Sequence, residues 1–205
     1  PTIFFSVPRL WVKFQQAIQH KMPEHKLQRL LGLPLIGGLV RRKIQKTLGL
    51  DQARICAGGA APMPLALLQW YSKLGIAINE GYGMTENLAV SHITVPGKNQ
   101  QGSVGPAYEG VQDRIDPETG EIQMKSPALM QGYYKATEQT RDAFTADGWL
   151  RTGDKGRIDS DKCLHITGRV KDLFKTGKGK YVAPAPIEDK LGGHEAVEAC
   201  VVTGA

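Results

Sequence analysis

Long hydrophobic runs are what this chain of 205 residues most plainly lacks: no apolar stretch approaches the roughly 20 residues of a membrane-spanning helix, and no charged-then-apolar leader opens it. No transmembrane segment is expected, and a cytoplasmic location follows by default. Cysteine is scarce too. Cys56, Cys163 and Cys200 are widely spaced and odd in number, which indicates neither a disulfide framework nor a CxxC metal site. Each has apolar neighbours and reads as a small buried thiol. Acid is nearly missing from one end: residues 1–50 carry nine Lys/Arg and one acid, Glu24, against seventeen Lys/Arg and nineteen acids in the remainder. The formal net charge of +6 is therefore a local excess. It suits a solvated helix face first, an acidic membrane surface second and nucleic acid last, because the aromatics do not interleave with the charges. With 41% hydrophobic and 22% charged residues, the composition is that of an ordinary globular chain, neither disordered nor fibrous.

The stretch that organises the rest is Asn79-Glu80-Gly81-Tyr82-Gly83-Met84-Thr85-Glu86. It follows the short apolar run Gly75-Ile76-Ala77-Ile78 and reads as the end of a buried strand spilling into a loop. Glycines around a tyrosine let a backbone approach a ligand closely. The aromatic face can stack on a base, the Thr85 hydroxyl can donate to a phosphate oxygen, and the Glu86 carboxylate can hold a magnesium ion that bridges phosphates. Upstream, Ala53-Arg54-Ile55-Cys56-Ala57 reads as a strand ended by Gly58-Gly59-Ala60-Ala61-Pro62, with a helix from about Pro64 to Lys73. Strand, loop, helix and strand make a parallel βαβ unit, which brings both loops to the carboxyl ends of neighbouring strands. Gly59, Ala60 and Ala61 leave room there for a flat base.

Further blocks follow: Asp147-Gly148-Trp149-Leu150-Arg151-Thr152-Gly153-Asp154, then Gly168-Arg169-Val170-Lys171-Asp172, then Thr176-Gly177-Lys178-Gly179-Lys180 leading into Tyr181-Val182-Ala183-Pro184-Ala185-Pro186-Ile187-Glu188. In order and spacing these blocks resemble the AMP-forming acyl-CoA synthetases of the adenylate-forming superfamily, and most of all the long-chain fatty acyl-CoA ligases. The resemblance runs through nearly the whole chain. It implies an enzyme that takes ATP, Mg2+, CoA and a fatty acid. Gly59, Ala60, Ala61, Gly81, Tyr82, Gly83, Thr85, Asp154 and Arg169 would bind ATP and AMP. Asp154, read as the end of a turn, would accept from the ribose hydroxyls, and Arg169 would serve ribose and phosphate oxygens. Thr85 and Glu86 would act in catalysis, Glu86 as the metal ligand, with Lys171 as the hinge between half-reactions. Gly177 and Gly179 would swing toward the pantetheine arm of CoA.

Members of that family are considerably longer and carry an upstream phosphate-gripping loop and a lysine near the C-terminus, neither of which is found here. The expectation is an α/β chain in two pieces. Residues 1–170 would be the end of the large N-terminal domain, a βαβ unit plus a small β-barrel or sheet. Residues 171–205 would be the hinge and the truncated start of a small α+β C-terminal lid, the whole inactive alone. A fatty-acid enzyme must collect substrate from a bilayer, so peripheral association at the inner membrane face through basic residues 9–46 stays open beside the solvated helix face. A luciferase, a peptide-synthetase adenylation domain and a scaffold module that binds nucleotide without turnover remain alternatives.

The remaining elements are plainer. Arg9 to His20 has helical apolar spacing, with Leu10, Trp11, Phe14, Ala17 and Ile18 in step. Met22 to Leu48 reads as two helices around a loop. Asp116-Pro117-Glu118-Thr119-Gly120 is a hairpin turn before Glu121–Lys125, and Lys135 to Phe144 is a short helix with Thr137 as its N-cap. Arg157 to Ile166 reads as a hairpin with its tip at Asp159–Lys162, where the family commonly has glycine in place of Lys162.

Overall fold

The computed structural model describes residues 1–96, 98, 100, 102–172, 174–175, 181–182, 184–192, 197 and 200–204. The chain opens with strand β1 (Ile3–Ser6) and helices α1 (Pro8–Lys21), α2 (Glu24–Leu31) and α3 (Ile36–Thr47). Strand β2 (Ile55–Gly58), helix α4 (Leu65–Lys73), strand β3 (Ile78–Tyr82) and the short strand β4 (His92–Ile93) follow. They form one sheet in the order β1-β2-β3-β4, with the first three strands parallel and β4 antiparallel to β3. The βαβ unit expected between residues 53 and 78 is thus present, but its strands are displaced. β2 starts at Ile55, not Ala53, because the Arg54 and Ile55 amides both turn back to the Thr2 carbonyl. β3 runs on through Tyr82, since Cys56–Gly58 pair with it as far as Glu80 and His92–Ile93 take over at Gly81 and Tyr82. Asn79, Glu80, Gly81 and Tyr82 are therefore strand residues and not loop.

The helices hold this sheet from one side through an aromatic knot. Trp11 is wholly buried, edge-on to Phe4 and Tyr71 with ring centroids 5.1 and 5.0 Å away, and the Tyr71 hydroxyl donates to the Trp11 carbonyl at 2.6 Å. Edge-to-face geometry sets the positive rim of one ring on the negative face of the next. Leu27, Ile44, Leu67, Leu68 and Leu74 complete the core. Glu24 pins the helices together: its carboxylate accepts from Trp70 Nε1 at 2.8 Å, Gln28 Nε2 at 2.8 Å and Gln19 Nε2 at 3.2 Å. Burial pushes its pKa up, but the three donors outweigh it and leave the net shift downward.

The second layer is a curled antiparallel sheet, a half-barrel of β5 (Gln112–Ile115), β6 (Glu121–Lys125), β7 (Leu150–Ile158) and β8 (Leu164–Arg169) in that order. Helix α5 (Thr137–Ala143) precedes β7. A two-stranded ribbon, β9 (Phe174–Lys175) and β10 (Tyr181–Val182), and helix α6 (Pro184–Gly192), which lies against β8, follow it. Asp116 closes the β5–β6 turn by accepting from the Glu118 and Thr119 amides and the Thr119 hydroxyl. Two corrections belong here. Thr137 is the first helical residue of α5 and Ala136 its cap, with no side-chain capping bond. Asp154 lies inside β7 and not at the end of a turn. The β7–β8 tip is closed by Asp159, whose Oδ1 accepts from the Asp161 and Cys163 amides while Oδ2 meets His165 Nε2 at 2.7 Å. Lys162 takes φ 62° there, the left-handed conformation that glycine adopts freely.

Asp147-Gly148-Trp149 proves to be a structural corner. Arg114 holds Asp147 through two guanidinium contacts of 2.8 and 3.1 Å and lies 4.4 Å over the Trp149 ring. That pairing keeps the Asp147 carboxyl well below the usual carboxylate range. The segment 106–107 links the two layers by isolated bridges, Ala107 to His92 of β4 and Pro106 to Cys163 just before β8. Between them Gly105 has φ 80°, and a Cβ on it would overlap the Ile93 carbonyl. Trp11→Ala should cost about 3–5 kcal/mol in urea unfolding, because it empties the centre of the knot; a loss under 1 kcal/mol would show that the knot is not the core.

Candidate functional site

β2 and β3 run side by side and release their chains at the same edge of the sheet. Gly58 ends β2, and Ala60, Ala61, Pro62 and Met63 come after it; Gly81 and Tyr82 end β3, and Gly83 and Met84 come after them. Both segments line one cavity of about 660 Å³. The facing wall comes from the half-barrel: Asp154 from β7, then Ile166, Thr167, Gly168 and Arg169 from β8, joined by Val104 and Asp172. A smaller cavity of about 270 Å³ shares Arg169 and Asp172 and adds Thr152, Gly153 and Lys171. Ala60 takes φ 68°, a left-handed conformation that costs an L-residue roughly 1–2 kcal/mol. The strain falls on the cavity wall.

Three charged or polar side chains meet across this space. The Tyr82 hydroxyl donates to Asp154 Oδ2 at 2.7 Å, and Arg169 Nε donates to Asp154 Oδ1 at 2.9 Å. Asp154 is buried, whereas the Arg169 side chain is 65% exposed. Burial, with the Asp154 charge added to it, pushes the Tyr82 phenol far above its ordinary pKa. The hydrogen bond to Asp154 raises Arg169 further. Local strand irregularity aims the carboxylate. Register shifts flank this part of β7, the Thr152 hydroxyl accepts from the Asp154 amide at 3.1 Å and donates to the Ile122 carbonyl at 2.7 Å, and the Gly153 amide donates to Glu121 Oε1. The bulge turns one residue out of the pleat and toward the cavity.

Of the residues expected at the site, Ala60, Ala61, Gly81, Tyr82, Gly83, Asp154 and Arg169 line the larger cavity, and Lys171 lines the smaller. Gly59, Thr85 and Glu86 are not part of either lining. A Cβ on Gly59 would come 3.0 Å from the Gly81 carbonyl oxygen and the Phe5 ring. Thr85 and Glu86 sit in a 3-10 turn, Thr85–Asn87, just beyond Met84. There Glu86 Oε1 accepts from the Tyr133 hydroxyl at 2.7 Å, and the Glu86 carbonyl accepts from the Met130 amide. Gly83 lets this turn fold back, since any Cβ would run into the Ala89 backbone. Gly177 and Gly179 lie outside the described residues. Among the described residues no cluster of three or more His, Cys, Asp and Glu gathers, so Glu86 is a single carboxylate.

Sequence reasoning missed the apolar wall, Met63, Val104 and Ile166. For Ile166 a signal existed, because Leu164 and Ile166 alternate along one strand face. It also missed a buried polar row behind Tyr82. His92 Nδ1 meets the Ser91 hydroxyl at 2.7 Å and its Nε2 meets Asp113 Oδ2 at 3.3 Å. Nothing in residue spacing brings Asp113 to His92.

The family described as AMP-binding enzyme matches residues 1–134. The chain belongs to this family. Among curated relatives, the long-chain-fatty-acid–CoA ligase FadD15 of Mycobacterium bovis is 38% identical over 81% of this chain and 27% of its own length. The long-chain-fatty-acid–CoA ligase ACSBG2 of Gallus gallus is 30% identical over 93% of this chain and 29% of its own. Among solved structures, ATP-bound MatB from Rhodopseudomonas palustris is 31% identical with a TM-score of 0.73, over 97% of this chain and 37% of that one. The chain spans 27–40% of the length of the curated relatives it matches. Tyr82→Phe should cost about 1.5–3 kcal/mol in urea unfolding, because buried Asp154 loses a donor. Arg169→Ala should cost under about 1 kcal/mol, because water screens that pair. The reverse order would show that Arg169, not Tyr82, anchors the carboxylate.

Proposed function

We propose that the protein containing this chain is an ATP-dependent acyl-CoA ligase whose acid is a long-chain fatty acid. A carboxylate oxygen attacks the α-phosphate of ATP, pyrophosphate leaves, and the CoA thiolate then displaces AMP from the acyl-adenylate. The observation that carries the reading is the meeting of three distant segments, residues 58–63, 81–84 and 154–169, on one cavity with a buried carboxylate. Family membership supports adenylate chemistry, and the names of the relatives FadD15 and ACSBG2 support the fatty acid. No helix among the described residues is long and apolar enough to cross a membrane.

In this reading the adenine lies against Ala60 and Ala61 on one side, with the Tyr82 ring covering the other. Asp154 receives the ribose hydroxyls; a carboxylate has about four acceptor positions, so two bonds from Tyr82 and Arg169 leave capacity for more. Thr85 donates to the α-phosphate, and Glu86, oriented by Tyr133, offers its carboxylate to magnesium. Bound there, the ion would neutralise phosphate charge as the anion is transferred. Residues 171–205 form the hinge and the start of the lid, Lys171 being the pivot that exchanges the half-reactions and brings Gly177 and Gly179 toward CoA. Basic residues 9–46 carry the enzyme to the inner face of the membrane.

In the intact protein, Asp154→Ala should weaken ATP binding about tenfold or more, whereas Glu86→Ala should lower the magnesium-dependent adenylation rate with ATP affinity little changed. Nucleotide titration and pyrophosphate exchange separate the two, and equal losses of affinity in both variants would refute this division. Lys171→Pro restricts φ to near −65° and should slow thioester formation far more than adenylation in single-turnover assays. Equal slowing of both steps would remove Lys171 from the hinge.

A further inference from the structure

Four apolar side chains stand in solvent at the turn between α2 and α3: Leu33, Leu35, Ile36 and Leu39, with Leu35 90% and Leu39 69% exposed. Single exposed leucines are ordinary on any protein, but a contiguous group on one turn marks a contact surface. The turn is well bonded: the Ile36 amide donates to the Pro34 carbonyl at 2.7 Å and the Gly37 amide to the Leu33 carbonyl at 2.9 Å. Leu35 has φ 66° and ψ −47°, where an L-residue is strained and glycine would be at ease. A leucine thus occupies a position that the backbone would give to glycine, and it gains no burial within the chain.

The charges beside this tip are uncompensated. Among the described residues, no Lys or Arg of the first 50 enters an ion pair. Glu24, the one acid there, is committed to Trp70, Gln28 and Gln19. Helical spacing places Ile36, Leu39, Lys43 and Lys46 on one face of α3, with Arg42 beside them. Leu39 and Lys46 are separated by about 10 Å along the axis at 1.5 Å per residue. One face of the hairpin therefore carries an apolar end and, about one headgroup layer behind it, a row of cations. Interfacial segments show this arrangement, with apolar residues below the headgroups and Lys or Arg at the phosphates.

We propose that the α2–α3 hairpin tip docks the protein on an anionic lipid bilayer, with Leu35 and Leu39 entering the acyl boundary and Lys43, Lys46 and Arg42 meeting lipid phosphates. It deepens the membrane association named above, yet uses no residue of the nucleotide cavity. The test is sedimentation of the intact protein with phosphatidylcholine vesicles, with and without phosphatidylglycerol, while nucleotide titration runs in parallel. Vesicle binding that survives when nucleotide fails to bind would separate the two readings. Phosphatidylglycerol should strengthen binding roughly tenfold or more, and Leu35→Ser/Leu39→Ser and Lys43→Glu/Lys46→Glu should each abolish that gain without moving Tm. Leu35→Trp should shift its emission to the blue on those vesicles and be quenched by brominated acyl chains. Undiminished pelleting of the double variants, or an unshifted indole, overturns the proposal. It is equally overturned if the parent ignores vesicles and Leu35→Ser/Leu39→Ser instead dissolves an oligomer in gel filtration, since the tip would then join protein chains.

Discussion

The hydrogen bond from the Tyr82 hydroxyl to Asp154 is the contact on which both walls of the cavity depend. Tyr82 ends β3 of the parallel sheet and Asp154 belongs to the half-barrel, so this bond ties the two layers at the cavity itself, while isolated bridges and the His92–Asp113 contact tie them elsewhere. A buried carboxylate needs donors, because removal from water costs it several kcal/mol. Arg169 supplies the second donor from the solvent side. Burial raises the phenol pKa so far that Tyr82 keeps its proton at any physiological pH, and the tie does not weaken as solution becomes alkaline. Tyr82 is thus held by its hydroxyl and by the apolar cluster of Ile122, Met124 and Leu164 behind it.

Much of this was legible from local chemistry. Alternation of strand, glycine-bearing loop and helix between residues 53 and 78 specified a parallel pair, and the Asp116–Gly120 turn specified a hairpin. What failed was the placing of ends. A strand stops where its neighbour stops, and neither the Thr2 carbonyl that delays β2 nor the β4 strand that prolongs β3 is near in sequence. Asp154 looked like a turn residue because glycine precedes it, yet Gly153 lies where the β6–β7 register shifts inside a nine-residue strand. Thr137 looked like a cap by residue type, whereas its hydroxyl makes no capping bond and Thr140 bonds back to Ala136.

The cavity divides along the same line. Residues that carry chemistry stood out by type, and seven of them line one space: Ala60, Ala61, Gly81, Tyr82, Gly83, Asp154 and Arg169. The apolar residues that close the space did not stand out, since Val104 and Met63 resemble any core residue. Two partnerships were invisible for a different reason. Tyr133 reaches Glu86 across 47 positions of sequence, and Asp113 reaches His92 across 21. Such pairs exist only once two sheets have curled around each other. The exposed leucines of the α2–α3 turn were hidden as well, because apolar residues at helical spacing ordinarily face inward.

Gly83 and Gly105 lead to a point about how this site keeps its shape. At both positions a side chain would occupy space already taken by another segment's main chain, Ala89 in one case and Ile93 in the other. Main chain cannot rotate out of the way as a side-chain tip can. The walls near Tyr82 therefore close by excluded volume, with tolerance set by the thickness of two peptide planes rather than by any attraction. Lining side chains such as Asp154 can be exchanged for weaker ones and leave a cavity behind; a single methyl at either glycine would move the cavity itself.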